Sequence, residues 1–116
     1  MHNFEKLNVY TRALDVVDYI YEITKRYPKE ELFLVVNQIR RAAISITLNI
    51  AEGSGRSKKE FVHFLNISRT SAYECTSLIQ ISLRRKYINQ EEYEYLYNEL
   101  EIIIKMLNKL KSSIKD

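Results

Sequence analysis

The chain has 116 residues, of which 46% are hydrophobic and 28% charged, as is ordinary for one globular domain. Glycine and proline together supply only three residues, against a usual share of ~12%, which excludes a strand-rich fold with many tight turns. The single cysteine, Cys75, excludes an intrachain disulfide and favours a reducing compartment. Since no apolar run reaches the ~20 residues of a membrane span and no signal-peptide pattern opens the chain, we expect a single cytoplasmic domain over residues 1–116.

The positive charge is unevenly distributed. The net charge of +3 is too small to argue for a nucleic-acid partner by itself, but residues 56–89 carry seven basic and two acidic side chains. Such a stretch is either a solvated helix face or an electrostatic footprint for phosphate.

Two amphipathic helices are predicted in the first half. Apolar residues recur at steps of three and four from about Val9 to Tyr27, and Pro28 ends this pattern. A second helix is expected to start near residue 29 and to end at the turn 53–55, which holds both glycines. Its apolar stripe is expected to comprise Leu32, Val35, Ile39, Ala42, Ala43, Ile46 and Ile50.

Two longer helices follow. Ser57 and Glu60 form a capping-box pattern that begins a third helix, which continues to about Lys86 over roughly 45 Å. Asn89 can cap a fourth helix, in which the glutamates come first and the lysines last, as the helix dipole favours. Short connections between long amphipathic helices predict an all-α, antiparallel up-down-up-down four-helix bundle.

Apolar side chains exceed what one narrow core requires. The first helix carries a second stripe with Tyr10, Leu14, Val17 and Tyr21, and further tyrosines fall outside the stripes altogether. This excess indicates either self-association or scattered surface tyrosines.

A polar line follows the second helix and includes Gln38, Arg41, Ser45, Asn49 and Glu52. It is either a ligand groove or, as we favour, a structural network in which Asn49 and Glu52 hydrogen-bond to the third helix through Ser71 and Glu74. A network of this kind would fix the register of the bundle.

Catalytic and metal sites are not expected. His2, His63 and Cys75 lack metal-ligand spacing, and the turn from Gly53 to Arg56 lacks the spacing and the lysine of a Walker loop. Glu52 and Glu74 are the only acids expected near each other, and bundle helices leave no cleft for a substrate between them. We therefore predict no catalytic residue, no metal and no cofactor.

Basic side chains remain as the candidates for nucleic-acid binding. They are Arg40, Arg41, Arg56, Lys58, Lys59, Arg69, Arg84, Arg85 and Lys86. Two groups lie at opposite ends of the third helix, and oligomerisation would turn either group into a ring.

Several motifs resemble a known family. The run 38–46 (QIRRAAISI), Asn-Ile-Ala-Glu-Gly at 49–53, Gly55-Arg56, residues 61–65 and Ser-Ala-Tyr-Glu at 71–74 look like the proteins encoded in bacterial 23S rRNA intervening sequences. The resemblance spans nearly the whole chain. It implies a four-helix bundle that assembles into a ring, commonly a pentamer, with no assigned catalytic activity. A related accessory variability protein of diversity-generating retroelements binds nucleic acid through a basic surface.

The resemblance assigns Arg40, Arg41 and Arg56 as family arginines, and Asn49, Glu52 and Glu74 as a buried polar set. The arginines either contact phosphate or pair with those acids. Our hypothesis is a non-enzymatic, homo-oligomeric, ring-like bundle that binds structured RNA or another nucleic acid through basic side chains. The alternative is a protein-binding adaptor without nucleic-acid binding.

Overall fold

Residues 2–114 of the computed structural model fold into four α-helices, α1 (Asn8–Thr24), α2 (Asn37–Ser54), α3 (Lys58–Arg84) and α4 (Gln90–Ser113). A short 3₁₀-helix, Asn3–Lys6, precedes α1. The single domain was predicted over residues 1–116, of which Met1, Lys115 and Asp116 lie outside the described residues. The molecule measures 47 × 23 × 23 Å, so the helices run along its long axis.

Hydrogen bonds between neighbouring helices establish the direction of each pair, because residue numbers rise on one helix as they fall on the other. The bonded pairs are Arg12 of α1 and Arg26 just after it with Glu99 and Glu92 of α4, Ser68–Ile46 and Ser71–Ser45 between α2 and α3, and Arg69–Asn108 and Lys111–Asn66 between α3 and α4. The predicted all-α four-helix bundle is confirmed, and the helices of each of these three pairs are antiparallel.

Side-chain caps begin both long helices where the sequence predicted them. The Ser57 hydroxyl accepts a hydrogen bond from the Glu60 amide at 3.2 Å. Asn89 and Glu92 form a complete capping box, in which each side chain accepts from the other residue's amide. These bonds satisfy amides that a helix start leaves free.

The segment between α1 and α2 differs from the prediction. A 3₁₀ turn (Lys29–Glu31) and a π-helix (Leu32–Val36) precede α2, which begins at Asn37 and not near residue 29. The wider π turn changes the face on which each side chain lies. Leu32, expected in the core, is therefore exposed, and Phe33 beside it is 84% exposed.

The core is formed by one buried stripe from each helix, represented by Ile20, Ile46, Ile79 and Leu100, all fully buried. Fully buried Ser68 lies in the same layer and donates a hydrogen bond to the Ile46 carbonyl at 2.9 Å. Across residues 2–114, no helix is both long and apolar enough to cross a membrane.

Candidate nucleic-acid interface

The two neighbouring arginines of α2 have different surroundings. Arg40 is half-buried against α1, where its Nε donates to the Thr24 hydroxyl at 3.0 Å and its guanidinium lies 4.5 Å from the centre of the Tyr21 ring. Arg41 is exposed and lines a recess with Gln38 and Glu74. Arg40 therefore joins two helices, whereas Arg41 is accessible.

Arg56 pairs with carboxylates. It forms ion pairs with Glu52 and Glu60, each one helical turn away, and lies over the Phe64 ring. The hydrogen bond to Glu52 and the negative charge of that side chain raise the pKa of Arg56. The hydrogen bond from the Ser57 hydroxyl lowers the pKa of Glu60, and the hydrogen bond from Arg56 lowers it by a smaller amount. The charge of Arg56 is thus offset within the turn between α2 and α3.

The polar network expected between α2 and α3 has different members. Asn49 donates to the Ser45 carbonyl at 2.8 Å and to its hydroxyl at 3.0 Å, and Ser71 donates to the same hydroxyl at 2.8 Å. Glu52 and Glu74, expected as buried partners, are exposed and take no part. The Glu52 carboxylate, at the end of α2, stays hydrated and pairs with Arg56. The fold thereby avoids the free-energy cost of burying a charge.

A second polar seam joins α3 to α4. Arg69 donates to the side-chain oxygen of Asn108 at 2.8 Å, and Lys111 donates to that of Asn66 at 3.2 Å. The four side chains are half-buried, and the Nε atom of Arg69 is buried without a hydrogen-bond partner in the part of the chain that the structure describes. No sequence pattern selects Lys111, since α4 carries five glutamates and three lysines and is acidic as a whole.

The remaining predicted cations lie at the two ends of α3, as expected. Lys58 and Lys59 are exposed in its first turn, and Arg84, Arg85 and Lys86 are exposed at its end. Lys86 has a φ of 64°, the left-handed conformation that terminates many helices. The following Tyr87 donates to Glu31 at 2.6 Å, and this hydrogen bond raises the pKa of Tyr87. The bond therefore joins the connection between α3 and α4 to the 3₁₀ turn that precedes α2.

Nucleophilic and metal-binding groups are not gathered in one place. Cys75 is fully buried, and its burial raises the pKa of the thiol to about 12. Among the described residues, no three side chains of histidine, cysteine, aspartate or glutamate are placed to hold a metal ion.

Comparison with known proteins decides the family. A family model described as 23S rRNA-intervening sequence protein matches residues 5–109. The chain belongs to this family. A crystal structure of a protein of unknown function from the S23 ribosomal protein family of Bacteroides thetaiotaomicron is similar to this family member, with 29% sequence identity and a TM-score of 0.83 over 90% of this chain and 96% of that one. A search of curated proteins finds no match.

Proposed function

We propose that this member of the 23S rRNA-intervening sequence family is a non-enzymatic, cytoplasmic, homo-oligomeric bundle that binds nucleic acid, in particular structured RNA. One observation carries the proposal: Lys58, Lys59, Arg84, Arg85 and Lys86 are exposed on or beside one helix, and within residues 2–114 none of the five forms an ion pair. Exposed cations without carboxylate partners are available to phosphate.

The distribution of the acids supports this choice. Arg12, Arg26 and Arg56 each contact a carboxylate, so their charges are largely offset. The exposed cations of α3 therefore account for much of the positive field, and along a helix of ~40 Å they match an extended polyanion better than a small anion.

Exposed apolar side chains support self-association. Phe33 is 84%, Leu34 62% and Leu48 61% exposed, which is unusual for large apolar residues of a monomer. A ring of copies, pentameric in the family that the sequence resembles, would cover some of this surface and repeat the basic side chains around the assembly.

A protein-binding adaptor is the second candidate. The same Phe33–Leu34 pair favours it, because an aromatic and an aliphatic side chain that project from the π-helix can enter a pocket of a partner. An apolar contact should persist as salt rises, whereas phosphate contacts should weaken.

Recovery of the protein from its host tests the proposal. The chain is purified at low salt with and without nuclease, and both the RNA and the proteins retained are identified. We expect one RNA population to be enriched over total RNA and to be released by nuclease or by high salt. Stoichiometric recovery of one protein that survives nuclease, with no enriched RNA, would support the adaptor instead.

A further inference from the structure

The seam between α3 and α4 carries cations that are held in place but not neutralised. Arg69 and Lys111 hydrogen-bond to the neutral side chains of Asn108 and Asn66. Neither is in an ion pair with a carboxylate among the residues described. A neutral amide fixes the position of a cation while leaving its charge to act on a ligand.

Further cations extend this seam. Lys58 lies about three helical turns before Arg69 and on the same side of α3, with Lys59 next to it. Lys105 is exposed on α4, about one turn before Asn108, which in turn lies about one turn before Lys111. We name this group of Lys58, Lys59, Arg69, Lys105 and Lys111 the α3–α4 basic face.

The neighbouring acids do not offset these charges. Glu60 is hydrogen-bonded to Ser57 and Arg56, and Glu74 lines a recess on the α2 side of α3. Glu101, about one turn before Lys105, limits the face along α4. The positive potential is therefore concentrated beside the first half of α3 and the second half of α4.

An aromatic ring lies within the same surface. Tyr73 is 51% exposed and follows Arg69 by about one turn, on the side of α3 that also carries Lys59 and Asn66. A solvent-exposed ring beside fixed cations is the arrangement with which proteins bind unpaired nucleotides, because the cations follow the backbone while a base stacks on the ring.

We propose that the α3–α4 basic face binds the backbone of single-stranded RNA and that Tyr73 stacks on one of its bases. This proposal rests on the nucleic-acid binding proposed above and adds the site and the strandedness of the ligand. Bases within a duplex are already stacked on their neighbours and offer no free face to a tyrosine, so an unpaired loop or end of a structured RNA suits this surface.

The cations are tested by fluorescence anisotropy with a labelled oligouridylate of about 15 nucleotides over a series of salt concentrations. We expect Lys105→Ala and Lys111→Ala each to weaken binding at low salt and to reduce the slope of log K against log salt by ~0.7. Lys25→Ala is the matched control, since Lys25 is an exposed lysine at the end of α1 that pairs with Glu22. Its removal should change the slope by much less.

Substitution of Asn66, the partner of Lys111, distinguishes a structural role of Lys111 from a direct contact with phosphate. Asn66→Ala removes the amide that holds Lys111 but leaves the positive charge, so it should alter binding much less than Lys111→Ala does. Equal losses of binding and of melting temperature in the two variants would overturn a direct contact of Lys111 with phosphate.

The aromatic contact is tested with the same probe. Tyr73→Leu should weaken binding about 5- to 100-fold, whereas Tyr73→Phe, which keeps the ring, should bind almost as the wild type does. Tyr95→Leu is the control, because Tyr95 is an exposed tyrosine on α4 that contacts Tyr19 of α1. A duplex of the same length should bind more weakly than the single strand.

The outcomes distinguish the two proposals. If the wild type binds RNA and only Arg84→Ala/Arg85→Ala weakens binding, the α3–α4 basic face is rejected while nucleic-acid binding stands. Equal binding of single strand and duplex, together with an inert Tyr73→Leu, rejects the stacking contact. If the wild type binds neither probe at low salt, the proposed function itself is rejected.

Discussion

Gly53 lies directly against Phe64, where the end of α2 meets the start of α3. A Cβ atom placed on Gly53 would be 2.6 Å from the Phe64 Cβ and 3.0 Å from Cδ1 of Phe61. Because no side chain fits in this space, the absence of one on Gly53 allows α2 and α3 to pack this closely. Gly53 therefore belongs to the packed interface of α2 with α3, although the sequence predicted it as part of the terminating turn.

Gly53→Ala should destabilise the fold. Overpacking of a tight contact costs about 1–3 kcal/mol, and the better helix propensity of alanine offsets about 1 kcal/mol of this. The net cost of about 1 kcal/mol should lower the melting temperature by roughly 4 °C in a thermal unfolding experiment followed by circular dichroism. Gly55→Ala is the matched control, since nothing lies within 4 Å of a Cβ there and the φ of −93° suits alanine. A Gly53→Ala variant as stable as Gly55→Ala would contradict this packing.

Ser68→Ala should lower stability more than Glu52→Ala. The Ser68 hydroxyl is fully buried and bonded to Ile46, and loss of such a bond costs ~1 kcal/mol. Glu52 is exposed and its pairing with Arg56 is screened by water, so its removal should leave the melting temperature almost unchanged. Urea unfolding of the two variants beside the wild type checks this order. A large loss of stability in Glu52→Ala but not in Ser68→Ala would contradict this order and indicate that Glu52 belongs to a buried network.

Stability should fall as the pH rises above about 9, in part because of Cys75. Burial raises the pKa of this thiol from 9.0 to about 12. Below pH 9 the thiol is protonated in both states; between pH 9 and pH 12 the unfolded chain ionises while the folded chain does not, which favours unfolding. Urea unfolding at about pH 8 and about pH 10 should show a smaller decrease for Cys75→Ala than for the wild type. Equal decreases in the free energy of unfolding for the two proteins would contradict this contribution of Cys75.

Self-association should depend on Phe33. We expect light scattering of the wild type to give a mass several times 13.8 kDa. Phe33→Asp should reduce that mass without lowering the melting temperature of the bundle, because the side chain is 84% exposed and contributes little to the core. A wild-type monomer at micromolar concentration would contradict the oligomer, and an unchanged mass in Phe33→Asp would place the interface elsewhere.

Much of the fold could be predicted because local signals agreed with each other. Ser57 and Asn89 cap α3 and α4 as their sequence patterns indicate, and Pro28 lies in the break between the first two helices, although α1 ends at Thr24 and not at the predicted Tyr27. The π-helix before α2 has no comparable signal, since its apolar residues also fit a regular helix. Periodicity therefore placed Leu32 in the core, whereas the wider turn exposes it.

The candidate site was only partly predictable, because contacts between helices are not contained in the spacing along one helix. The line from Asn49 to Glu52 suggested one network, but Ser45 accepts the bonds and Glu52 turns to Arg56. Charge counts over whole segments also concealed Lys105 and Lys111, because the acids at the start of α4 outweigh the lysines at its end. Packing against α3 brings only that basic end beside Arg69.

The salt dependence of RNA binding tests the central claim most directly. Anisotropy of a labelled structured RNA is measured over a salt series for the wild type, Lys58→Ala/Lys59→Ala and Arg84→Ala/Arg85→Ala, all of whose substituted residues are exposed. We predict that log K falls linearly with log salt and that each lost phosphate contact reduces the slope by ~0.7–0.9, with little dependence on RNA sequence. Absence of wild-type binding at low salt, or an unchanged affinity and slope in both double variants, would contradict nucleic-acid binding and favour the protein-binding adaptor.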